Sequence, residues 1–215
     1  MTPAQTVQLL AEEENKLIDY TFLASETAPK SITFTAPERR SGCSWLVSRI
    51  AGRLAERVEA SVCAVDANLH WPDLHNTFGI DNESGLLQAT MRPEDPIRQF
   101  TKRPGNANLW VLPSGGTLPN CNAVLNTENL KNRLVELSRE FDYILIDTPA
   151  MKTSPDCGLI GRFTGGVVLV LAANSSRRDT AINTKMMLES ANVPILGAVL
   201  NRRTFPIPDR IYRYL

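Results

Sequence analysis

The sequence lacks an excess of charge of either sign, because 23 lysines and arginines balance 23 aspartates and glutamates over 215 residues. This balance gives no support for a nucleic-acid partner, which would need a basic surface. Cysteine and histidine are also scarce, and none of the four cysteines has the CxxC spacing of a zinc site. We therefore expect no zinc site and no nucleic-acid partner, in a protein of the reducing cytosol.

Long apolar runs are missing as well. No stretch approaches the roughly 20 apolar residues of a membrane-spanning helix. The acidic N-terminal sequence MTPAQTVQLLAEEENK lacks the basic and then apolar pattern of a signal peptide. The sequence thus predicts a soluble, cytoplasmic protein that is recruited to the inner face of a membrane only through a partner. Its length and its hydrophobic content of 43% fit one large domain.

The sequence does contain a regular alternation of strand-like and helix-like segments. Apolar residues recur at helical spacing around 46–58, 130–137 and 182–187, and Met186 and Met187 are expected in the core of the third helix. Ser176 and Asp179 predict a capping box at the start of that helix. Short apolar runs predict strands at 31–36, 62–67, 109–113, 143–147, 166–173 and 195–201. This order favours an α/β fold with a mostly parallel, twisted sheet and helices on both faces.

Candidate site residues follow three of these strands. Ligands of parallel sheets bind beyond the carboxyl ends of the strands. The loop TAPERRSGCSW (35–45), Asp66 and Asp147 all lie at such ends. An aspartate there can hold Mg²⁺ directly or through water. Each group alone has an ordinary alternative as a turn or capping residue, but three at one edge favour a nucleotide site.

The loop 35–45 matches a phosphate-binding loop only in part. In the complete G-x-x-x-x-G-K-[ST] motif, backbone N–H groups hold the phosphates, the lysine contacts the β- and γ-phosphates and the hydroxyl binds magnesium. Here Ser44 retains the hydroxyl, but Cys43 stands in place of the lysine. Arg39 and Arg40 could supply the charge from another direction. Taken alone, the loop favours an ordinary strand-to-helix turn with Ser44 near the start of the helix.

Taken together, these segments resemble the bacterial tyrosine kinases (BY-kinases) of capsule and exopolysaccharide synthesis, relatives of the Min/Par-type P-loop ATPases. KSITFTAPERRSGCS is similar to their Walker A strand and loop, VCAVDANLHWPDLHNTFGI to Walker A′ and FDYILIDTPA to Walker B. WVLPSGGTLPNCNAVL and ILGAVLNRR match two further stretches of the family. The resemblance implies a single P-loop domain over 1–215, with an N-terminal helical segment at 1–30 and a C-terminal tail at 202–215.

The resemblance also implies ATP or ADP with Mg²⁺ as ligands. The implied nucleotide-binding residues are Arg39, Arg40, Ser41, Gly42, Cys43, Ser44, Trp45 and Asn201, the last near the adenine. The implied Mg²⁺ ligands are Ser44, Asp66 and Asp147, and the two aspartates are also the candidate catalytic residues. Tyr212 and Tyr214 of the tail are the candidate phosphorylation sites.

Departures from the family pattern argue against full activity. Cys43 replaces the Walker A lysine and Arg40 replaces a loop glycine. Asn68 replaces the second carboxylate of Walker A′, and an amide cannot act as a base at neutral pH. The Glu-x-x-Arg-x-x-Arg oligomerisation motif of the N-terminal helix is reduced to Glu12, Asn15 and Ile18, which leaves homo-oligomerisation open.

We therefore expect a pseudokinase that regulates bacterial exopolysaccharide or capsule synthesis or export. Its implied partner is a membrane-bound polysaccharide co-polymerase or a cognate kinase. Two alternatives stay open. The first is an active ATP-dependent tyrosine autokinase, in which Arg40 or Lys152 replaces the missing lysine. The second is a positioning ATPase of the Min/Par type. Nucleotide binding without turnover is compatible with the sequence too.

Overall fold

The structure, a computed structural model, describes residues 3–105, 108–118, 128–154 and 160–202, with side chains from residue 11 onwards. Several sequence-predicted features lie outside the described residues: Cys121, Cys157, part of the stretch 110–125, and the tail beyond Arg202 with Tyr212 and Tyr214.

Helices and strands alternate along the described chain. The helices are α1 (Pro3–Thr21), α2 (Cys43–Arg57), α3 (Leu74–Phe78), α4 (Leu86–Met91), α5 (Glu128–Glu140) and α6 (Arg178–Ser190), with a 3₁₀ turn at Ile97–Phe100. The strands are β1 (Ser31–Thr35), β2 (Val62–Asp66), β3 (Leu109–Leu112), β4 (Tyr143–Asp147), β5 (Val167–Ala172) and β6 (Ile195–Asn201). Each strand lies within one of the predicted apolar runs, so these predictions are confirmed.

The strands form one parallel sheet in the order β3-β2-β4-β1-β5-β6. Parallel neighbours need crossover connections, which the helices provide. In the register of the sheet, Asp147 of β4 stands opposite both Phe34 of β1 and Asp66 of β2. The carboxyl ends of these three strands therefore meet at one edge, as predicted, and the predicted α/β fold with a parallel sheet is confirmed.

Helices cover both faces of the sheet. The alternation is clear in β2, where Val62 and Ala64 face one core, and Cys63 and Val65 face the other. The first core packs α1 and α2 on the sheet through Ile18, Val47, Ile50 and Leu54. The second packs α4 and α5 through Leu86, Ala89, Leu134 and Leu137. Each large aliphatic side chain that is fully buried in this way contributes about 1.5–3 kcal/mol.

The N-terminal helix α1 is anchored to α2 by a buried carboxylate. Glu14 is only 6% exposed, and its oxygens accept hydrogen bonds from Arg49 Nε at 2.8 Å and from Arg53 Nε at 3.2 Å. Ile18 of the same helix is fully buried beside this contact. Since α2 begins at the carboxyl edge of the sheet, α1 braces the helix that reaches that edge. No helix within the described ranges is long and apolar enough to cross a membrane.

Two expectations about α6 are wrong. The helix begins at Arg178 after Arg177, without a side-chain cap, rather than at a Ser176–Asp179 capping box. The Ser176 hydroxyl instead accepts a hydrogen bond from the Ala172 N–H at 2.9 Å, because the chain turns immediately after β5. Met186 and Met187 are also not core residues: they are 59% and 43% exposed, because α6 is buried through Thr184 and Leu188.

Candidate functional site

A cavity of about 420 Å³ opens at the carboxyl edge of the sheet. The segments that follow β1, β2 and β4 line it, together with the first residues of α2. All seven loop residues from Arg39 to Trp45 contribute to its wall, as do Asn68 and Thr148. The structure therefore brings together the loop residues that the sequence assigned to a nucleotide site.

The loop between β1 and α2 retains the backbone shape of an anion-binding turn. The N-cap of α2 is Gly42, with a φ of 80°, and it has no side chain to cap the N–H groups of the first turn. Uncapped N–H groups at a helix N-terminus are suited to binding an anion. Arg40 has a φ of 62°, a left-handed conformation that favours glycine. Arg40, at a position where the resemblance implies glycine, thus has a backbone conformation that glycine favours.

Asn201, at the end of β6, contacts the loop directly. Its side-chain Nδ2 donates hydrogen bonds to the carbonyl oxygens of Ser41 at 2.9 Å and Gly42 at 3.3 Å. A Cβ on Gly42 would stand 2.4 Å from that nitrogen, so a side chain there would disrupt the contact. Asn201 is not among the residues that line the cavity. In this structure its amide holds the loop in place, and the expected contact with adenine stays a prediction.

Asp66 is fully buried, and both of its carboxylate oxygens have backbone partners. Oδ1 accepts a hydrogen bond from the Asn68 N–H at 3.1 Å, and Oδ2 accepts from the N–H groups of Asp73 and Leu74, each at 3.0 Å. Burial raises the pKa of Asp66 well above its usual range and the nearby Asp147 raises it further, while the N–H groups act in the opposite sense. Asp66 therefore organises the segment 67–74.

Asp147 is equally buried, but its carboxylate lacks such partners. Neither oxygen has a hydrogen-bond partner within the described ranges. Burial raises the pKa of Asp147 to about 6, while the Ser44 and Cys43 side chains, which lie close to the carboxylate without the geometry of a full hydrogen bond, lower it. A buried carboxylate without a partner is costly. Of the two candidate aspartates, Asp147 is therefore the one with oxygens available to a ligand.

The residues at this point fit a magnesium ion. Mg²⁺ prefers oxygen ligands and usually takes one or two carboxylates, waters and the phosphates of its nucleotide. Asp147 supplies an unpartnered carboxylate, and the Ser44 side chain lies close enough to affect its pKa. No cluster of three or more acidic, histidine or cysteine side chains suited to a metal occurs in the described chain. The site therefore suits a cation that arrives with phosphates.

A stacked pair joins two walls of the cavity. The guanidinium carbon of Arg39 lies 3.5 Å from the ring centroid of Trp71, a close cation–π contact. Both residues line the cavity, Arg39 from the loop after β1 and Trp71 from the segment that Asp66 organises. The Trp71 ring was not predicted as a site residue, since only the spatial meeting of two segments reveals its role.

The structure changes which cations belong to the candidate site. Lys152 is 71% exposed and lies 3.7 Å from the Glu38 carboxylate, and it is not among the residues that line the cavity. Arg202 does line the cavity, although no motif marked it as a site residue. The position of Arg202 after the ILGAVLN strand was the available signal, because that strand also ends at the carboxyl edge of the sheet.

Comparisons with known proteins find bacterial tyrosine-protein kinases among the relatives of this chain. No protein-family model matches the chain. It is 28% identical over 193 residues to the putative tyrosine-protein kinase CapB of Staphylococcus aureus, which covers 90% of this chain and 84% of CapB. It is 26% identical over 180 residues to the tyrosine-protein kinase YwqD of Bacillus subtilis, covering 84% of this chain and 75% of YwqD.

Solved structures agree with these relatives. The chimerical protein CapA2B2 superposes with a TM-score of 0.83 at 25% identity, over 90% of this chain and 85% of the chimera. The kinase domain of the Escherichia coli tyrosine kinase ETK superposes with a TM-score of 0.80 at 25% identity, over 92% of this chain and 79% of the kinase domain. MinD of Pyrococcus horikoshii, solved with Mg-ADP, shares the fold with a TM-score of 0.66 at 21% identity, over 86% and 76%. The chain is thus a relative of the bacterial tyrosine-protein kinases and has the Min/Par-like P-loop fold.

Proposed function

We propose that the chain is a pseudokinase: it binds ATP or ADP with Mg²⁺ at the cavity but transfers phosphate poorly or not at all. The observation that carries this proposal is the position of Cys43. It is the first residue of α2, it lines the cavity, and its side chain affects the Asp147 carboxylate. A cysteine, which carries no positive charge, thus stands where the resemblance to a complete loop would put the lysine.

Several features support retained binding. The first turn of α2 has no side-chain cap, and Gly42 and Arg40 keep the left-handed conformations of an anion-binding loop. The unpartnered carboxylate of Asp147 would be relieved by a cation. These groups would stabilise the bound nucleotide before any phosphoryl transfer, and their contacts do not require a lysine.

Other features support impaired turnover. Phosphoryl transfer depends on positioning and on charges that stabilise the transition state, and a single arginine in that role is worth about 10³–10⁵ in rate. Cys43 lacks such a charge, and Asn68 cannot accept a proton. The carboxylate of Asp66 is occupied by backbone N–H groups. Neither Asn68 nor Asp66 is therefore free to act as a general base.

The alternative of an active autokinase now depends on Arg40. Lys152 pairs with Glu38 at the surface, whereas Arg40 lines the cavity. A rigid, planar guanidinium does not reach along the phosphates as a lysine does. If purified protein autophosphorylates and Arg40→Ala abolishes that activity, the autokinase is the correct assignment. The Min/Par alternative would require ATP-dependent binding to anionic vesicles.

The direct test restores the missing groups. Thermal unfolding is measured with ATP and ADP, with and without Mg²⁺, because a ligand that binds only the folded state raises its stability. We expect a nucleotide-dependent rise in Tm and no measurable hydrolysis or autophosphorylation by the unaltered chain. Cys43→Lys with Asn68→Asp should then gain turnover, while Cys43→Ala should not.

Two outcomes contradict the proposal. Robust turnover by the unaltered chain would show a working enzyme. The lack of any Tm shift at millimolar nucleotide would show a site that no longer binds it. Asp147→Ala in the Cys43→Lys, Asn68→Asp background is the control, because it removes the proposed magnesium contact.

We further propose a regulatory role in exopolysaccharide or capsule synthesis, through a membrane-bound polysaccharide co-polymerase or a cognate kinase. The resemblance to the bacterial tyrosine kinases supports this role, as does the similarity to the CapA2B2 chimera. Cross-linking in the host, followed by mass spectrometry of the membrane fraction, should recover such a partner. Recovery of neither class from membranes of polymer-producing cells would contradict this role.

A further inference from the structure

Arg202 lies against the N-terminus of α2, although it is distant from the loop in sequence. It directly follows β6 and lines the cavity. Its Nε lies 3.5 Å from the point where a Cβ on Gly42 would stand. Gly42 is the cap of α2, where uncapped N–H groups would meet a phosphate. The guanidinium therefore approaches the phosphate site from the side of the sheet.

The backbone at Arg202 is held in this position. Its N–H donates to Asn201 Oδ1 at 2.9 Å, while Asn201 Nδ2 donates to the Ser41 carbonyl at 2.9 Å. One asparagine amide thus joins the end of β6 to the loop. Arg202 also has a φ of 56°, a left-handed conformation that is unfavourable for a residue with a Cβ. The placement is maintained in spite of this backbone cost.

The other cations near the loop are engaged or constrained. Arg39 is stacked on Trp71, and Lys152, which does not line the cavity, pairs with Glu38 of the cavity wall. Arg40 lies within the loop itself, in its own left-handed conformation. For the Arg202 side chain, by contrast, no carboxylate partner occurs among the residues that the structure describes. Its charge is available to an anion at the start of α2.

We propose that Arg202 supplies the positive charge for the phosphates that the Walker A lysine supplies in a complete loop. This inference rests on the proposed nucleotide binding and adds the residue responsible for it. A guanidinium can donate two parallel hydrogen bonds to phosphate oxygens. Because Arg202 is anchored outside the loop, it serves a bound di- or triphosphate rather than a phosphoryl group in transfer. The site thereby keeps affinity without the geometry for turnover.

The test measures the binding of inorganic pyrophosphate and of Mg-ADP by titration calorimetry. Arg202→Gly is the main variant, because glycine adopts the left-handed conformation without strain and leaves the fold undisturbed. Arg202→Lys keeps the positive charge but cannot donate the two parallel hydrogen bonds of a guanidinium. Lys152→Ala is the matched control, since it removes a cation near the loop but outside the cavity. Trp45 and Trp71 line the cavity, so their fluorescence gives a second readout of binding.

We expect Arg202→Gly to weaken both ligands by about tenfold or more, the loss of one charge-assisted contact. Arg202→Lys should retain part of that affinity, and Lys152→Ala should change it less than about twofold. Equal binding by Arg202→Gly and the unaltered chain would overturn the inference and leave the proposed function intact. Pyrophosphate binding that depends on Arg202 without ADP binding would support the inference and contradict the proposed function. Failure of the unaltered chain to bind either ligand would overturn both.

Discussion

The buried carboxylate of Glu14 gives a sharp test of how α1 is held. We predict that Glu14→Gln destabilises the protein far more than Glu13→Gln, the same change at the adjacent position. Glu14 is 6% exposed and accepts hydrogen bonds from Arg49 at 2.8 and 3.0 Å and from Arg53 at 3.2 Å. Glu13 is 64% exposed and pairs with Lys16, which is 61% exposed. The two substitutions have the same chemistry and differ only in environment.

The magnitude follows from burial. Removing one partner of a buried ion pair costs about 3–5 kcal/mol. Here the arginine side chains are 40% and 32% exposed, so water compensates part of the loss. We expect about 2 kcal/mol for Glu14→Gln and little or no loss of stability for Glu13→Gln, whose ion pair is exposed. For a chain of this size, 2 kcal/mol corresponds to a fall in Tm of about 4–8 °C.

Urea unfolding followed by circular dichroism measures both free energies of unfolding, and a thermal scan checks the Tm values. Repetition in 1 M salt should leave most of the difference between the variants, because a buried pair is screened less than an exposed one. If Glu14→Gln falls within about 0.5 kcal/mol of Glu13→Gln, the carboxylate does not hold α1 on α2 and the reasoning is wrong.

Two further predictions concern the candidate site. Because burial raises the pKa of Asp147 from 3.8 to about 6, the folded chain binds this proton more tightly, and stability is lost as the pH rises through about 6. In EDTA, Asp147→Asn should therefore stabilise the protein at pH 7.5 by about 1–3 kcal/mol, with no gain below about pH 4. Asp142→Asn should instead destabilise the protein at pH 7.5, since hydrogen bonds from Ser61 lower the pKa of Asp142. Matching urea curves at pH 7.5 for the unaltered chain, Asp147→Asn and Asp142→Asn would contradict this prediction. Gly42→Ala, with a φ of +80° and a Cβ 2.4 Å from an amide nitrogen, should cost about 1–3 kcal/mol, whereas Gly52→Ala has no atom within 4 Å and should stabilise α2 by up to about 1 kcal/mol. Thermal unfolding with the same sign for both alanines would refute the strain at the loop.

Strand positions were predictable because buried parallel strands are apolar on both faces. β4 is the clearest case: YILID predicted a strand at 143–147, and β4 spans Tyr143–Asp147. α6 was less predictable. Its apolar positions include Met186, which is exposed, while the buried Thr184 is polar. Periodicity identifies a helix that packs along one stripe, and it fails where the helix touches the sheet over a short contact.

The sequence alone predicted the fold, the three strand ends at the candidate site and a cysteine at position 43, where the resemblance implies a lysine. These follow from local composition and chain order, because parallel strands place their carboxyl ends at one edge. The three-dimensional packing was needed to show that the Asp66 carboxylate accepts hydrogen bonds from backbone N–H groups while Asp147 does not, and that Arg202 reaches the start of α2. These properties depend on which atoms of distant segments become neighbours and on how far water is excluded from them. The spacing of residues along the chain indicates neither which distant atoms become neighbours nor how far water is excluded from them.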